Sequence, residues 1–371
     1  MSPEKRFVEM KKSIVEEFMD LVRIDNESLD ERLMADFIMD RLRGIGYEPY
    51  EDDAGEKAGG TAGNVICLLE GEPELDSVMF LAHMDSVYPC KGKVPIIKDG
   101  YIVSEGDTVL GSDDLSGVAA MLNLAQNIKE GGNRHGDIWL VFTIAEEIGL
   151  VGARHLDTEG IKADYAYVLD SGGDIGKGTV SAPSHNTFSA VITGRAAHAG
   201  MEPEKGINAI NVAADAITNM TLGRIDHETT ANIGSIEGGR SLNIVCEKVT
   251  VKGEVRSRDL GKLEKYSGII IDSFNTAAKK AGATVEINME REYNSFRVSE
   301  DQPVLSRYKS VLRAMDVEFI PEHSGGGSDT NIIFNKGIQA LTISCGMEQV
   351  HQTTERISIS VLEKLPELMM K

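Results

Sequence analysis

Two adjacent carboxylates, Glu146 and Glu147, follow an apolar run over residues 138–144. The run predicts a buried strand, and two ionised carboxylates at its tip are costly unless they share a cation or a proton. Successive strand residues point to opposite sides, so one glutamate can bind a metal ion while its neighbour faces a substrate. The alternative is a solvated, acidic exit from the strand.

A histidine and an aspartate, His83 and Asp85, end a second apolar run that starts at Val78. In a His-x-Asp sequence on a strand, both side chains point the same way. A histidine that binds metal through one ring nitrogen needs a carboxylate or a carbonyl on the other, and Asp85 can supply or support it. The alternative for His83 is a core histidine whose hydrogen bonds are satisfied within the protein.

Further possible ligands are the adjacent Asp113 and Asp114, then Asp170 and His351. The two adjacent aspartates lie at the start of a predicted helix, where aspartate is also a common cap, while Asp170 and His351 follow apolar runs. Open α/β sheets form their ligand crevice at the carboxyl ends of strands, so we expect these residues to meet there. Such a mixture suits Zn²⁺, Mn²⁺ or Co²⁺ better than Ca²⁺, and two ions that share one bridging carboxylate would use all of the ligands.

The elements that must position these residues alternate between helices and strands. The pattern predicts helices over about 5–22, 30–43 and 114–128, buried strands over 64–69, 78–82, 138–144 and 165–169, and a hairpin over 96–103 with Asp99 and Gly100 at its turn. After residue 297 it predicts helices over 302–315 and 358–370 and a strand over 340–344. Strands this apolar indicate an α/β sheet that is covered on both faces.

Between these two parts, the strands alternate in polarity instead. The pattern predicts strands over 187–193 and 246–256 that flank helices at about 206–221 and 261–281. The order strand, helix, strand, strand, helix, strand is typical of a ferredoxin-like module whose sheet is covered on one face. We therefore predict a catalytic domain from residues 1–181 and 297–371, with an inserted lid or dimerisation domain over residues 182–296.

Composition excludes several classes of protein. The 371 residues carry 59 acidic and 38 basic side chains, and a net charge of −21 argues against nucleic acid and anionic lipid as partners. The chain has no apolar run of membrane-spanning length and no apolar segment like that of a signal peptide, which indicates a cytoplasmic protein. The scattered cysteines have no metal-site or disulfide spacing, so we interpret them as plain thiols: Cys67, Cys90, Cys246 and Cys345.

A series of motifs in one order resembles a known family. The motifs are HMDS, GSDDLSG, TIAEEIG, VLDSGG, GRAAHAG, SLNIV, GEVRSRD, GGGSDTN and HQTTERI. Together they resemble the co-catalytic di-zinc exopeptidases that include peptidase T, bacterial glutamate carboxypeptidase and succinyl-diaminopimelate desuccinylase. The resemblance runs from about residue 5 to the end and is strongest to the peptidase T-like branch. It implies a mixed sheet flanked by helices, with an inserted ferredoxin-like α+β lid domain.

The resemblance also implies roles for individual residues. It implies two divalent ions per chain, zinc first and cobalt or manganese as alternatives, with these ligands: His83 and Asp170 on one ion, Glu147 and His351 on the other, and Asp113 bridging both. Asp85 stands behind His83, and Glu146 takes the position of the general base that activates a metal-bridging water.

The lid domain supplies the other implied residues. His198 resembles a histidine that stabilises the oxyanion, in dimeric members from the partner subunit, so a homodimer through the inserted domain is possible. Asn243 and Arg256 resemble a clamp for the substrate, and Gly326 lies in a glycine run that permits close backbone approach. A structural role is the alternative for each of these four residues.

The implied function is an aminopeptidase that acts on short peptides. Two departures from the family pattern concern selectivity: Leu115 stands where many relatives have lysine, and Ser324 stands where tripeptidases tend to have arginine. The alternatives are a deacylase of N-acyl amino acids, a metal- or peptide-binding protein that has lost catalysis, and a structural protein with solvated acidic clusters.

Overall fold

The computed structural model describes residues 12–371, so the start of the predicted first helix lies outside the described residues. The chain divides into two compact units. The first comprises Met1–Val180, Val298–Glu322 and Ser328–Lys371, and the second comprises Ser181–Arg297 and His323–Gly327. The catalytic domain predicted from the sequence includes residues 323–327, whereas these residues join the second unit. They do so because Ser324 N donates to Ser181 O, and Arg258 Nη1 donates to Ser324 O.

The strands of the described chain are, in order, β1 (Tyr50–Glu51), β2 (Val65–Leu69), β3 (Val78–His83), β4 (Pro95–Lys98), β5 (Tyr101–Ser104), β6 (Ile138–Thr143), β7 (Tyr165–Ser171), β8 (Lys177–Ala182), β9 (Ser184–Thr193), β10 (Gly223–Arg224), β11 (Thr229–Gly238), β12 (Lys248–Ser257), β13 (Thr284–Tyr293), β14 (Phe296–Arg297), β15 (Ile320–His323), β16 (Gln339–Ser344), β17 (Met347–Glu348) and β18 (Arg356–Ser358). The α-helices are α1 (Ile14–Val22), α2 (Arg32–Ile45), α3 (Ala54–Ala58), α4 (Ser112–Gly131), α5 (Val151–His155), α6 (Ala209–Thr218), α7 (Leu260–Ala281), α8 (Pro303–Ala314), α9 (Asp329–Asn335), α10 (Ile359–Leu362) and α11 (Leu365–Met370).

The main sheet of the first unit has the strand order β1-β2-β6-β3-β7-β16-β8. Its central neighbours β6, β3, β7 and β16 are parallel, and β2 and β8 run antiparallel to them at either side. The carboxyl ends of the four parallel strands therefore lie along one edge. This is the predicted mixed α/β sheet, and its parallel strands lead to the segments that carry His83, Glu147 and Asp170.

Helices cover both faces of this sheet, as the apolar strands predicted. On one face, Leu81, Val141 and Val168 pack with Ile333 of α9. On the other face lies α4, which approaches so closely that a Cβ atom on Gly117 would stand 3.0 Å from the Cβ of Ala82. That distance is shorter than a normal carbon contact, so only glycine fits at this point of the helix.

A smaller antiparallel sheet of the first unit has the order β17-β18-β5-β4. The strands β4 and β5 form the predicted hairpin, with left-handed backbone at Asp99 (φ 52°) and Gly100 (φ 82°). Two successive left-handed residues match the right-handed twist of a hairpin, which explains the Asp-Gly pair. The other end of this sheet, β17 and β18, flanks the turn that carries His351.

The second unit contains an antiparallel sheet of order β10-β11-β12-β9-β13. The helices α6 and α7 pack on it through alternate strand residues, among them Phe188, Ala190 and Val251. The order β9-α6-β11-β12-α7-β13 is that of a ferredoxin-like module, as the alternation of its strands predicted.

One predicted helix is wrong in detail. The final helix over 358–370 is instead two short helices, α10 and α11, separated at Glu363 and Lys364. Pro366 is the reason, because it has no N–H to donate to the carbonyl four residues earlier. Among the described residues, no helix combines the length and the apolar character that crossing a lipid bilayer requires.

Candidate metal centre and active site

The predicted ligands of the first unit follow the parallel strands. His83 is the last residue of β3, and Asp170 lies one residue before the end of β7. Glu147 follows the end of β6 by four residues, and His351 follows β16 through the turn after β17. Asp113 lies in the first turn of α4. The first four therefore belong to segments that follow the carboxyl ends of the parallel strands, and Asp113 lies beside them because its Oδ1 atom is 3.1 Å from His83 Nε2.

His83 is buried and has a carboxylate on one side and a carbonyl on the other. Its Nε2 atom lies 3.1 Å from Asp113 Oδ1, and its Nδ1 atom lies 3.0 Å from the main-chain oxygen of Asp85. The carboxylate of Asp85 is also near, with Oδ1 3.4 Å from Nδ1. In the charged imidazole both ring nitrogens donate to these oxygens. If Nε2 loses its proton while Nδ1 keeps its own, Nε2 presents a lone pair to the cluster.

His351 lies against two carboxylates. Its Nε2 atom is 3.3 Å from Asp113 Oδ2 and 3.1 Å from Glu147 Oε1. One ligand atom from each of His83, Asp113 and Glu147 lies within 4.8 Å of the others. Asp113 thus has one oxygen towards each imidazole, which is the arrangement that a bridging carboxylate requires.

The cluster favours positive charge. Hydrogen bonds to Asp113 and Glu147 raise the pKa of His351 to about 10. Burial alone would lower the pKa of His83, but its hydrogen bonds to Asp113 and Asp85 hold the pKa well above the ordinary value. Burial alone would raise the pKa of Asp113, but its hydrogen bonds with His351 and His83 lower it. A group of acids that stabilises cations this strongly is suited to divalent metal ions.

Two more acids lie within this electrostatic environment. Burial raises the pKa of Asp170, and the charges of Asp113 and Glu146 raise it further, which places Asp170 among the clustered acids. Burial likewise raises the pKa of Asp114, whose Oδ2 atom accepts from His83 N at 3.3 Å and whose Oδ1 atom accepts from Gly117 N at 3.2 Å. Asp114 therefore holds backbone, whereas Asp113 faces the imidazoles.

The segment that carries Glu146 and Glu147 differs from the prediction. The strand β6 ends at Thr143, and Ala145 has a left-handed backbone (φ 48°), so the strict alternation of a strand does not set the directions of the two glutamates. Hydrogen bonds to carboxylates hold the turn instead. Asp85 accepts from Glu146 N at 3.0 Å and from Glu147 N at 3.3 Å. Glu146 is buried, which raises its pKa, and the charges of Asp329 and Glu147 add to the effect.

Three buried acids for which the sequence predicted no role support the site. Glu31 accepts from Ala145 N at 3.0 Å, and Asp329 accepts from the hydroxyl group of Thr143 at 2.6 Å. Glu355 accepts four hydrogen bonds from the segment that leads into α4. Asp329 and Glu355 lie within the motifs GGGSDTN and HQTTERI, so an acidic residue inside a matched motif was the available signal. Glu31, beside the start of α2, had no comparable signal.

The remaining predicted residues belong to the second unit and form two pairs. Ala199 N donates to Asn243 O at 2.9 Å, and exposed His198 forms a β-bridge with Ile244, so His198 and Asn243 lie on neighbouring segments. A Cβ atom on Gly326 would lie 3.8 Å from Arg256 Nη1, which pairs the glycine run with β12.

The guanidinium group of Arg256 is already oriented by its neighbours. Glu254 accepts from its Nε atom at 3.1 Å and from its Nη2 atom at 3.0 Å, and the hydroxyl oxygen of Tyr293 accepts from Nη1 at 3.2 Å. The same hydroxyl oxygen accepts from Gly327 N at 3.1 Å. These bonds fix the side chain in one geometry, so the guanidinium group of Arg256 is already oriented before a ligand binds.

The donor set fits divalent metal. Imidazole nitrogen and carboxylate oxygen are the ligands of zinc, cobalt and manganese sites. In addition, buried Glu147 Oε1 lies 3.1 Å from His351 Nε2, and burial raises the pKa of Glu147 whereas this contact lowers it. A buried carboxylate needs a positive partner, and a metal ion at this position can serve as one.

A separate cavity of about 450 Å³ lies at the opposite end of the main sheet. Its lining includes Val78, Ile138 and Tyr165, which are the first residues of β3, β6 and β7. None of the predicted site residues lines it. The chemistry that the sequence predicts therefore belongs to the carboxyl edge of the sheet and not to this cavity.

Comparison with known proteins identifies relatives of the whole chain. Residues 79–371 match the model of peptidase family M20/M25/M40. An aminopeptidase PepT from Bacillus cereus is 41% identical, with a TM-score of 0.89 and 97% of both chains covered. A tripeptidase from Staphylococcus aureus is 36% identical, with a TM-score of 0.92 and 97% of this chain and 96% of that chain covered. Peptidase T from Clostridium perfringens is 26% identical over 97% of this chain and 98% of its own length. These matches confirm the resemblance and the fold expected from the motifs.

Proposed function

Because the chain belongs to peptidase family M20/M25/M40, we propose that it is a metal-dependent aminopeptidase that removes residues from the N-termini of short peptides. One observation carries the proposal: two imidazoles and two carboxylates meet at the carboxyl ends of parallel strands, and one of these carboxylates, Glu147, directly follows the buried Glu146. Hydrolysis of a peptide bond needs an activated water and a proton acceptor, and these residues are suited to both tasks.

The cluster has ligands for two divalent ions, and we infer zinc, with cobalt or manganese as alternatives. The assignment of the five ligands is His83 and Asp170 to one ion, Glu147 and His351 to the other, and Asp113 to both. When bound, such ions lower the pKa of water and polarise a carbonyl group. The raised pKa of His351 supports this assignment, since it indicates a site that favours added positive charge, and the carboxylates that raise it are Asp113 and Glu147.

Glu146 is the proposed general base. It accepts a proton from the attacking water and passes it to the departing amine. Burial raises its pKa, so the carboxylate is more basic than an exposed glutamate would be. Asp85 holds the backbone of Glu146 and Glu147 and also faces His83, so one carboxylate fixes the base and two ligands together.

The second unit supplies the proposed contacts to substrate. Arg256 is suited to a substrate carboxylate because Glu254 and Tyr293 orient its guanidinium group. Asn243 and His198 offer an amide and an imidazole from neighbouring segments, and Gly326 offers backbone beside Arg256. The resemblance to dimeric relatives supports a homodimer in which His198 serves the partner's site.

A deacylase of N-acyl amino acids is the rival activity within the same chemistry. The similarity to an aminopeptidase and to a tripeptidase favours the peptidase. The two departures in sequence do not oppose it. Leu115 is fully buried in α4, where an apolar side chain suits the core. Ser324 accepts from Arg258 through its main-chain oxygen, so an arginine lies beside this position.

The test is the variant Glu146→Gln, which keeps the size of the side chain and removes the proton acceptor. We expect kcat on a tripeptide with a free N-terminus to fall about 10²- to 10⁴-fold, while both metal ions remain bound. Glu159→Gln, an exposed position, is the matched control and should keep full activity. Metal is counted by elemental analysis after dialysis, so the loss of the base is separated from the loss of ligands.

The substrate class is tested on peptides with free or acetylated N-termini. Cleavage of the free peptides alone supports the aminopeptidase, and a preference for the acetylated ones supports the deacylase. Full activity of Glu146→Gln would refute the proposed base. A wild-type protein that binds no divalent ion would refute the metal centre.

A further inference from the structure

Glu355 is a buried carboxylate beside the metal centre that carries no assigned role. It is 2% exposed and lies four residues after His351, directly before β18. Its Oε2 atom accepts from Leu110 N at 2.9 Å and from Gly111 N at 2.8 Å. Its Oε1 atom accepts from Ser112 Oγ at 2.7 Å and from Asp113 N at 3.0 Å.

These four bonds join the two segments that carry neighbouring ligands. Residues 110–113 lead to Asp113, and residues 351–355 form the turn of His351. The turn itself is closed by Glu355 N, which donates to Gln352 O at 3.0 Å. Across this junction His351 Nε2 stands 3.3 Å from Asp113 Oδ2. The position of one ligand relative to the other thus depends on the contact between Glu355 and residues 110–113.

The chemistry of the junction requires a carboxylate. Four donors converge on two oxygens, and a glutamine could accept at only one of them, so two buried donors would lose their partner. Burial raises the pKa of Glu355, and the hydrogen bonds from Ser112, Gly111 and Asp113 oppose that effect. The ammonium group of Lys93 is also close. Lys93 is itself buried, and a Cβ atom on Gly111 would stand 2.9 Å from its Nζ atom.

We propose that Glu355 is a positioning residue that sets the distance between Asp113 and His351 and thereby the affinity of the metal ion that these two ligands share. The inference rests on the proposed function, since it takes this cluster as a metal centre. Of the two proposed ions, the one held by His351 and Asp113 depends on Glu355 through two ligands. The ion held by His83 and Asp170 depends on it through Asp113 alone. Loss of Glu355 should therefore lower the binding affinities of the two ions by different factors.

The experiment is a competition titration of metal-free full-length protein with Zn²⁺ against a chromophoric chelator. It compares wild type, Glu355→Gln and the control Asp164→Asn. Asp164 also accepts from backbone and hydroxyl donors, Ser77 N and Ser77 Oγ, but lies at the other end of the sheet. We expect Glu355→Gln to lower the affinity of one ion about 10- to 100-fold, with a much smaller change for the other ion. We expect Asp164→Asn to bind both ions as wild type does.

A purely structural cap gives a different result. If Glu355→Gln lowers the urea midpoint of the metal-free protein but binds both ions with wild-type affinity, the inference is overturned. If that variant fails to fold, Ser112→Ala replaces it, because it removes one of the four bonds and should weaken the same ion by a smaller factor. Unchanged affinities in Ser112→Ala then overturn the inference. A wild-type protein that binds no Zn²⁺ overturns the proposed function itself. This result is obtained with wild type alone and is therefore distinct from a failure of the inference about Glu355.

Discussion

Replacing Asp329 by asparagine should change how the stability of the first unit depends on pH. Asp329 is 1% exposed, and Thr143 Oγ1 donates to its Oδ2 atom at 2.6 Å. Its Oδ1 atom has no hydrogen-bond partner among residues 12–371. Burial raises the pKa of this carboxyl group to about 6 from an ordinary value of 3.8. The substitution removes the titrating group and keeps an oxygen that can accept from Thr143.

The sign and size of the effect follow from the raised pKa. Below pH 3.8 Asp329 is neutral in both the folded and the unfolded chain, so its ionisation costs nothing. Between pH 3.8 and about 6 the unfolded chain has lost the proton while the folded chain keeps it, so stability falls across this window. Above about 6 the folded chain also carries the charge, and the loss of stability is complete. The two pKa values differ by about two units, and each unit corresponds to about 1.4 kcal/mol. Asp329 therefore costs the wild-type protein about 3 kcal/mol at pH 7 relative to pH 4.

The measurement is urea unfolding of the metal-free proteins between pH 4 and pH 7.5. Trp139 is the only tryptophan of the chain and lies on β6, so its fluorescence reports on the first unit. We expect the free energy of unfolding of Asp329→Asn, relative to that of wild type, to increase by about 3 kcal/mol as the pH rises across this range. Removal of the charge also relieves the raised pKa of Glu146, which acts in the same direction.

The control is Asp301→Asn. Asp301 is exposed, and the hydroxyl group of Ser299 lowers its pKa, so its removal should relieve no destabilisation as the pH rises. Parallel pH profiles for wild type and Asp329→Asn would refute the reasoning, because they would mean that Asp329 does not bury a charge at neutral pH.

Two further predictions concern the support of the site. Glu17→Gln breaks a buried ion pair in which Arg41 Nε donates to Glu17 Oε2 at 3.0 Å. It should lower the free energy of unfolding of the first unit by about 3–5 kcal/mol, measured by Trp139 fluorescence in urea. The exposed pair of Lys57 and Asp53 is the control, since Lys57→Gln should leave the urea midpoint unchanged. Gly152→Ala places a Cβ atom 2.6 Å from Ile144 N, two residues before Glu146, and should lower both kcat and stability, by about 1–3 kcal/mol for the latter. Gly160→Ala meets no atom within 4 Å and should have neither effect, so equal kinetics of these two alanine variants would contradict the role of Gly152.

The fold was predictable from the sequence where the pattern of polarity has one structural solution. The solid apolar runs that became β3, β6 and β7 predicted a sheet covered on both faces, and the alternating runs that became β9 and β12 predicted a sheet covered on one face. The split of the last helix was missed because the apolar period continues through Pro366, whereas the hydrogen-bond ladder does not. The placement of residues 323–327 depends on main-chain contacts of Ser324 and Gly327, which leave no mark in polarity.

The grouping of His83, Asp113, Glu147 and His351 was predictable from the sequence, and so was the place of Asp85 beside His83. The other acids that hold these segments were not. Histidines and acids at the ends of apolar runs are visible in sequence because polar residues are unusual there. The turn at Ala145 was not visible, because a left-handed alanine is stabilised by distant acceptors rather than by its own preference. Those acceptors, Glu31 and Asp85, bind backbone N–H groups, and a side chain that binds backbone imposes no pattern on its partner's sequence.

The supports share one feature that bears on the chemistry of the whole site. Asp85, Glu31 and Glu355 each hold a ligand-bearing segment through its backbone N–H groups, so acids position other acids. A support of lysine or arginine would neutralise the ligands and weaken their attraction for metal. Acids that bind N–H groups fix the geometry and leave the negative potential intact, at the cost of burying more charge. That cost is recovered when cations bind, so folding stability and metal affinity are linked in this unit. For this reason, a substitution that relaxes the acidic cluster, such as Asp329→Asn, should stabilise the metal-free protein more than the metal-loaded one.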